Sequence, residues 1–214
     1  DYNRIVNDRM LDSATNYECY KGIYSSVNDR NMFEIAHSLN RQFGAEDWTL
    51  YRHLSLFNFV DNHDVARLAS ILKEPENLAA TYGLLFGIPG IPCIYYGSEW
   101  GATGEKIQGT DASLRPCFDE PLENDLTTWI AQLAKIRTEQ PALSYGSYRQ
   151  LHLTNEQFVF LREHEGNQIV IALNVGDDTC TISLPLDGQL IELTAANHPC
   201  PASQLVLKPH TASI

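Results

Sequence analysis

The apolar pattern of this chain changes period once, near residue 145, and that change limits its fold more than any other feature. Before it, stripes at helical spacing alternate with short apolar runs; after it, short alternating segments follow one another between Asn, Asp and Gly turns. The turn-rich stretch Pro141-Ala-Leu-Ser-Tyr-Gly146 separates the two. We therefore expect two domains, 1–144 and 145–214, the first α/β and the second all-β.

In the first part, Met32, Ile35, Ala36, Leu39 and Phe43 predict a helix closed by a cap at Gly44. Leu54 to Val60 reads as a buried strand, Pro75 to Phe86 as a helix, and Ile91 to Tyr96 as a second strand. Leu126, Trp129, Ile130, Leu133 and Ile136 mark an amphipathic helix, with acids about its start. Strand, helix, strand, helix is the order of βαβ units in a parallel sheet, and Ser13 to Tyr17 adds a third candidate strand. In the second part, strands are expected at 148–153, 158–162, 168–174, 179–184, 189–193 and 205–208, making a small antiparallel sandwich. It should cap the first part by covering the helix at Leu126 to Ile136.

A net charge of −12, from 15 basic and 27 acidic residues, argues against nucleic acid as a partner. No run of about 18 apolar residues suggests a membrane span. The cysteines at 19, 93, 117, 180 and 200 are odd in number, form no CxxC pair and have no zinc spacing. We read them as mostly buried thiols in a reducing compartment, which favours a cytoplasmic over a secreted location. The chain opens at Asp1 without an initiator Met or a leader, as a processed product or a piece of something longer would.

The stretch Phe57-Asn-Phe-Val-Asp-Asn-His-Asp64 runs from a buried strand directly into two carboxylates, an amide and an imidazole. Catalytic groups of barrel enzymes gather at such strand ends. Asx residues there also serve as plain caps of the next turn or helix, and spacing alone does not separate the two uses. Gly87-Ile-Pro-Gly-Ile-Pro-Cys-Ile-Tyr-Tyr-Gly-Ser-Glu99 repeats the layout, with Tyr95 and Tyr96 ahead of a carboxylate. Either tyrosine could be core; aromatics and acids at neighbouring strand ends also suit a sugar-cleaving pocket.

Phe59-Val60-Asp61-Asn62-His63-Asp64 resembles the fourth conserved region of the α-amylase family of glycoside hydrolases, and Gly87 to Glu99 resembles that family's eighth-strand segment. The resemblance implies a partial (β/α)8 barrel, strands six to eight, over residues 1–144, followed by the family's C-terminal β-domain. Asp1-Tyr2-Asn3-Arg4 resembles the segment just after the fifth strand, so the expectation is a cut that leaves out the nucleophilic Asp and the Glu acid/base. Asp64 matches the carboxylate that stabilises the oxocarbenium-like transition state, and His63 matches the imidazole that binds the same sugar. Asp111 and Arg115 resemble a pair that holds a sugar on the non-reducing side; the bland alternative is a surface i,i+4 ion pair.

The resemblance thus implies the C-terminal portion of a retaining enzyme that cleaves α-1,4-glucosidic bonds in starch or maltodextrin. By itself such a chain should hydrolyse nothing, since retention needs two flanking carboxyls. With three strands of a barrel that typically takes about 250 residues, it should self-associate or pair with the missing N-terminal half. Calcium in this family is bound in an earlier inserted domain, so neither a metal nor another cofactor is expected in this chain. An α-1,6-glucosidase, a transglycosylase, or a non-catalytic docking relative are the alternatives. A carbohydrate-binding role for the β-domain has little behind it, because it offers only Tyr148, Phe158 and Phe160.

Overall fold

The computed structural model describes residues 1–195 and 199–214. The first part carries helices α1 (Tyr17–Asn28) and α2 (Phe33–Phe43), strand β1 (Phe57–Asn58), helices α3 (Leu68–Ile71) and α4 (Leu78–Gly87), strand β2 (Ile91–Pro92), and helices α5 (Asp125–Glu139) and α6 (Pro141–Tyr145). The second part carries β3 (Ser147–Leu153), β4 (Gln157–His164), β5 (Asn167–Asn174), β6 (Cys180–Ile182), β7 (Gln189–Ile191), β8 (Pro199–Pro201), β9 (Leu205–Leu207) and β10 (Thr211–Ser213). No helix among the described residues is long and apolar enough to cross a membrane.

β1 and β2 pair in parallel, Phe57 with Ile91 and Asn58 with Pro92, and Thr15 bridges Phe57 in parallel from the other side. Three chain segments therefore run side by side, as the three expected β/α units require. Their ladders are much shorter than the apolar runs at 54–60 and 91–96 suggested, and Ser13 to Tyr17 contributes a single bridge before α1 begins. A parallel ladder lasts only as long as a neighbour runs beside it. No closed barrel forms among the described residues, and Phe57 and Ile91 remain 42% and 39% exposed.

Buried amides fix this small sheet. Asn16 Oδ1 caps α1 by accepting from Cys19 N, while its Nδ2 donates to Gln42 Oε1 at 2.8 Å and Asn58 Oδ1 at 2.9 Å. Asn58 Nδ2 in turn donates to Pro89 O at 2.7 Å, so one chain of amides joins α1, α2, β1 and the entry to β2. Gly90 makes that entry possible: its φ is +109°, and a Cβ there would lie 2.6 Å from Leu56 O. Gly44 ends α2 differently from the expected left-handed cap, being extended at φ −60° and ψ 175°. A Cβ at Gly44 would sit 2.5 Å from Asn40 O, so close approach, not handedness, selects glycine.

β10-β5-β4-β3 form a four-stranded antiparallel sheet, and the ribbons β6-β9 and β7-β8 complete the expected sandwich-like second part. β4 and β5 are buried on both faces. Phe158, Phe160, Ile171 and Leu173 join a core shared with the helices, while Val159 and Ala172 join a smaller one with Ile182, Leu184, Leu205 and Leu207. The larger core runs without a break across residue 145.

α4 is the element both parts share. It is buried along almost its whole length and packs on α1, α5, β5 and β10, as a helix apolar on every side must. The expected helix from Pro75 divides into a 3-10 turn, Pro75–Asn77, and α4 proper. The sheet covers α4, α2 and α6 more than α5, whose Ile130, Leu133 and Ile136 share the larger core with it and whose Gln132 Nε2 donates to Leu193 O, just past β7. At one edge of the contact, the Arg30 guanidinium donates to Glu74 at 2.7 Å, Glu156 at 3.2 Å and Asp177 at 2.7 Å, tying both parts together.

All five thiols are free. Cys19 is buried, Cys93 and Cys117 are exposed, and Cys180 and Cys200 are intermediate, so they are not mostly buried as expected. Cys93 lies open because it follows β2 on the uncovered side of the short sheet.

Candidate functional site

The chain leaves β1 through buried Phe59 and Val60 and emerges at Asp61, beside the point where the chain leaving β2 reaches Tyr95 and Tyr96. The motif residues then part company. Asp61 is 2% exposed and accepts from Leu68 N at 2.9 Å and Ser98 Oγ at 2.8 Å. Burial raises its pKa above the ordinary aspartate value, against the pull of those two donors and the nearby Arg67. Asn62 Oδ1 accepts from Asp64 N at 2.8 Å, closing an Asx turn. For Asp61 and Asn62, then, the capping use of Asx residues is the observed one.

Asp64 is not spent on capping. The Asx turn presents its carboxylate outward, 49% exposed, with Oδ2 3.3 Å from His63 Nε2 and Oδ1 accepting from Arg115 Nη2 at 3.3 Å. The same Arg115 nitrogen donates to Asp111 Oδ2 at 3.1 Å, and Arg115 Nε donates to His63 O at 3.2 Å. All four expected residues, His63, Asp64, Asp111 and Arg115, thus meet in one cluster although 47 positions separate Asp64 from Asp111 in sequence numbering. The Asp111–Arg115 pair is an i,i+4 ion pair and more, since Arg115 also reaches the motif.

Exposed pairs of this kind stabilise a fold by about 0–1 kcal/mol. Their value here is geometric: an anion is held at a fixed place, flanked by an imidazole and a guanidinium, on a strand-end turn open to solvent. Such an arrangement can receive hydroxyl-rich or electropositive groups and favour positive charge developing on a bound molecule.

Aromatic rings and one more cation complete the surroundings. Tyr95 lies 6.5 Å from the His63 ring, and Tyr96 stands edge-on to Tyr95 at 4.7 Å. On the opposite flank, Tyr20 stacks on Phe59 at 4.9 Å, and Tyr17 accepts a hydrogen bond from Asn62. Burial, ahead of the neighbouring Tyr24 and Asp61, pushes the Tyr20 hydroxyl up to about 12, so it remains protonated. Lys106 Nζ donates to Asp64 O at 2.7 Å.

Sequence reasoning missed Lys106, Tyr17, Tyr20 and Arg67. Lys106 comes from a loop without pattern, and the tyrosines lie in α1, whose small buried residues Gly22, Ser25 and Ser26 hide its stripe. Arg67 had a faint signal, being the one charged residue at the junction of the motif and an apolar helix start.

A depression of about 530 Å³ lined by Arg115, Tyr96, Trp100 and Phe118 adjoins the cluster. A larger cleft, about 820 Å³, lies instead between β5 and the β7-β8 ribbon, remote from these groups and lined mainly by aliphatic side chains. Glu74, Asp177 and His210 bring potential metal-ligand atoms within 4.8 Å of one another. The Arg30 guanidinium already occupies Oε1 of Glu74 and both oxygens of Asp177 there.

Comparison with known proteins bears on the family and the fold. The catalytic-domain model of the α-amylase family matches residues 6–127. The cyclomaltodextrinase of Thermoanaerobacter pseudethanolicus is 32% identical over 136 residues, 58% of this chain and 23% of that protein. The beta/alpha-amylase of Paenibacillus polymyxa is 33% identical over 177 residues, 78% of this chain and 14% of that protein. The crystal structure of an Anoxybacillus α-amylase superposes with a TM-score of 0.82 at 24% identity, covering 95% of this chain and 46% of that one. The chain therefore spans a quarter or less of these curated relatives and under half of the solved enzyme, and its α/β part is an open portion of their barrel. On the family model's match to residues 6–127 and the relative 33% identical over 78% of the chain, this chain belongs to the α-amylase family of glycoside hydrolases.

Proposed function

We propose that this chain is the C-terminal portion of a retaining hydrolase of α-1,4-glucans such as starch or maltodextrin, and that it supplies the substrate-holding side of the site. In this reading Asp64 stabilises the oxocarbenium-like transition state, His63 hydrogen-bonds the same sugar, and Asp111 and Arg115 hold the neighbouring one. The observation that carries it is Asp64 standing free of any cap, with His63 Nε2 and Arg115 Nη2 on its two oxygens.

Alone, the chain hydrolyses nothing. A retaining pair needs two carboxyls facing each other across the bond at about 5–5.5 Å. Asp61 is buried and engaged, and Asp111 is held on the same nitrogen as Asp64, beside it and not opposite. The remaining groups would come from the preceding barrel segment, docked on the open edge beside Thr15 or β2 and on exposed Phe57 and Ile91. The exposed thiols of Cys93 and Cys117 suit a reducing, cytoplasmic setting.

The test is a titration of the chain with maltotriose followed by amide and imidazole NMR, alongside D64N and R115A. Saturable shifts centred on His63 that either substitution abolishes are expected. Binding indifferent to both, or release of reducing sugar from maltodextrin by the chain alone, would overturn the reading.

A further inference from the structure

We propose that Arg67 is a positioning residue that sets where Arg115 and Tyr95 stand relative to Asp64; the inference deepens the α-glucan site proposed above and rests on it. Arg67 is fully buried at the start of α3, three residues past Asp64. Its main-chain N donates to Gly104 O at 2.8 Å. Its Nη1 donates to Tyr96 O at 2.7 Å and Ser98 Oγ at 3.0 Å, and its Nη2 to Leu114 O at 3.2 Å. The guanidinium carbon lies 4.5 Å from the centre of the Tyr95 ring and 5.2 Å from that of Tyr96.

These acceptors are not a random sample of buried carbonyls. Leu114 directly precedes Arg115, Tyr95 faces His63, and Ser98 Oγ donates to Asp61 in the motif itself. One side chain thus joins the turn bearing Asp64 to both stretches of the following loop that contribute to the site. Without it, the exposed ion pairs of Arg115 would have to hold a long loop in place, and such pairs supply only about 0–1 kcal/mol each. The geometry demands arginine: a planar fork reaches acceptors in several directions while its face lies against a ring, and an ammonium cannot do both.

The experiment compares R67K with R162K in the full chain. Arg162 is the matched control, a buried guanidinium in β4 that donates to Gly87 O, Gly146 O and Ser147 O, away from the site. Three readouts are taken: denaturation midpoint, maltotriose dissociation constant, and the Tyr95 ring resonances of the unliganded chain, assigned with Y95F. Both variants should lose stability. Only R67K should also weaken maltotriose binding, by about tenfold or more, and move the Tyr95 resonances, because only it loosens a fork aimed at the site.

Unchanged Tyr95 resonances in R67K would overturn the proposal, as would an equal affinity loss in R162K. If the parent chain does not bind maltotriose, the proposed function fails by itself, and the Tyr95 resonances still decide the role of Arg67. Should R67K not fold, S98A removes one acceptor of Nη1 along with the hydroxyl that donates to Asp61, and a shift of Tyr95 with an affinity loss of about two- to fivefold is expected; neither change appearing would overturn the proposal.

Discussion

Replacing Gly83 by alanine tests how the helical part sits on the sheet. In an exposed helix this change would stabilise by about 0.8–1 kcal/mol through helix propensity. Gly83 lies in the middle of α4, and a Cβ there would fall 2.3 Å from the Cβ of Ala212 in β10. Neither carbon can rotate away, so α4 and β10 must separate. Overpacking of this kind costs about 1–3 kcal/mol and sometimes more, which outweighs the propensity gain at all but the low end of that range. The expected net is a destabilisation centred on about 1 kcal/mol and reaching about 2, or roughly 2–4 °C and up to about 8 °C in melting temperature for a chain of this size.

Adding A212G should reverse the loss. It removes the obstructing methyl at about 0.5–1 kcal/mol for a glycine within a strand, so the double variant should return close to the parent. Urea denaturation of the four proteins gives the coupling energy directly, expected at about 1 kcal/mol or above by the double-mutant cycle, an order-of-magnitude figure for groups in contact. A G83A protein more stable than its parent, or a coupling near zero, would refute the packing of α4 on β10.

Other outcomes rest on individual contacts. N58A should destabilise by about 2–3 kcal/mol, read as a denaturation midpoint, because it strips partners from Asn16 Nδ2 and Pro89 O in the buried interior. D64N should leave the midpoint within about 1 kcal/mol while abolishing maltotriose binding, a separation expected of an exposed, functional carboxylate. Arg30, hydrogen-bonded to Asp177, holds that carboxyl below its ordinary value of 3.8, so its contribution is complete above 3.8 and lost as pH falls through the lower folded value. D177N should remove that part of the acid sensitivity in a pH series of midpoints. Asp61 has the opposite sign, since burial raises its pKa: its contribution is complete below 3.8 and lost as pH rises through the folded value, and D61N should flatten that slope.

Sequence periodicity located α2 and α5 well, because each buries one regular stripe, Ile35, Ala36, Leu39 and Phe43 in the first and Ile130, Leu133 and Ile136 in the second. It missed α1, whose buried face mixes Cys19, Ile23 and Val27 with glycine and serine that allow close packing on α2. Strand lengths at β1 and β2 were beyond it, since pairing depends on a neighbour and not on local composition. His63 and Asp64 were legible as a motif, and so was the use of Asp61 as a cap, but spacing could not assign the two uses to the two acids. The bond from Arg115 to Asp64 spans two loops, and no local rule carries that distance.

The position of α4 in the chain has a consequence for biosynthesis. At typical ribosomal rates of about 5–20 residues per second, β10 follows α4 by on the order of ten seconds. During that interval the helix that both parts share has one side with nothing to cover it. Products that stop short of Thr211–Ser213 would carry that bare side permanently, and aggregation would then track translational truncation more closely than it tracks the thermal stability of the finished chain.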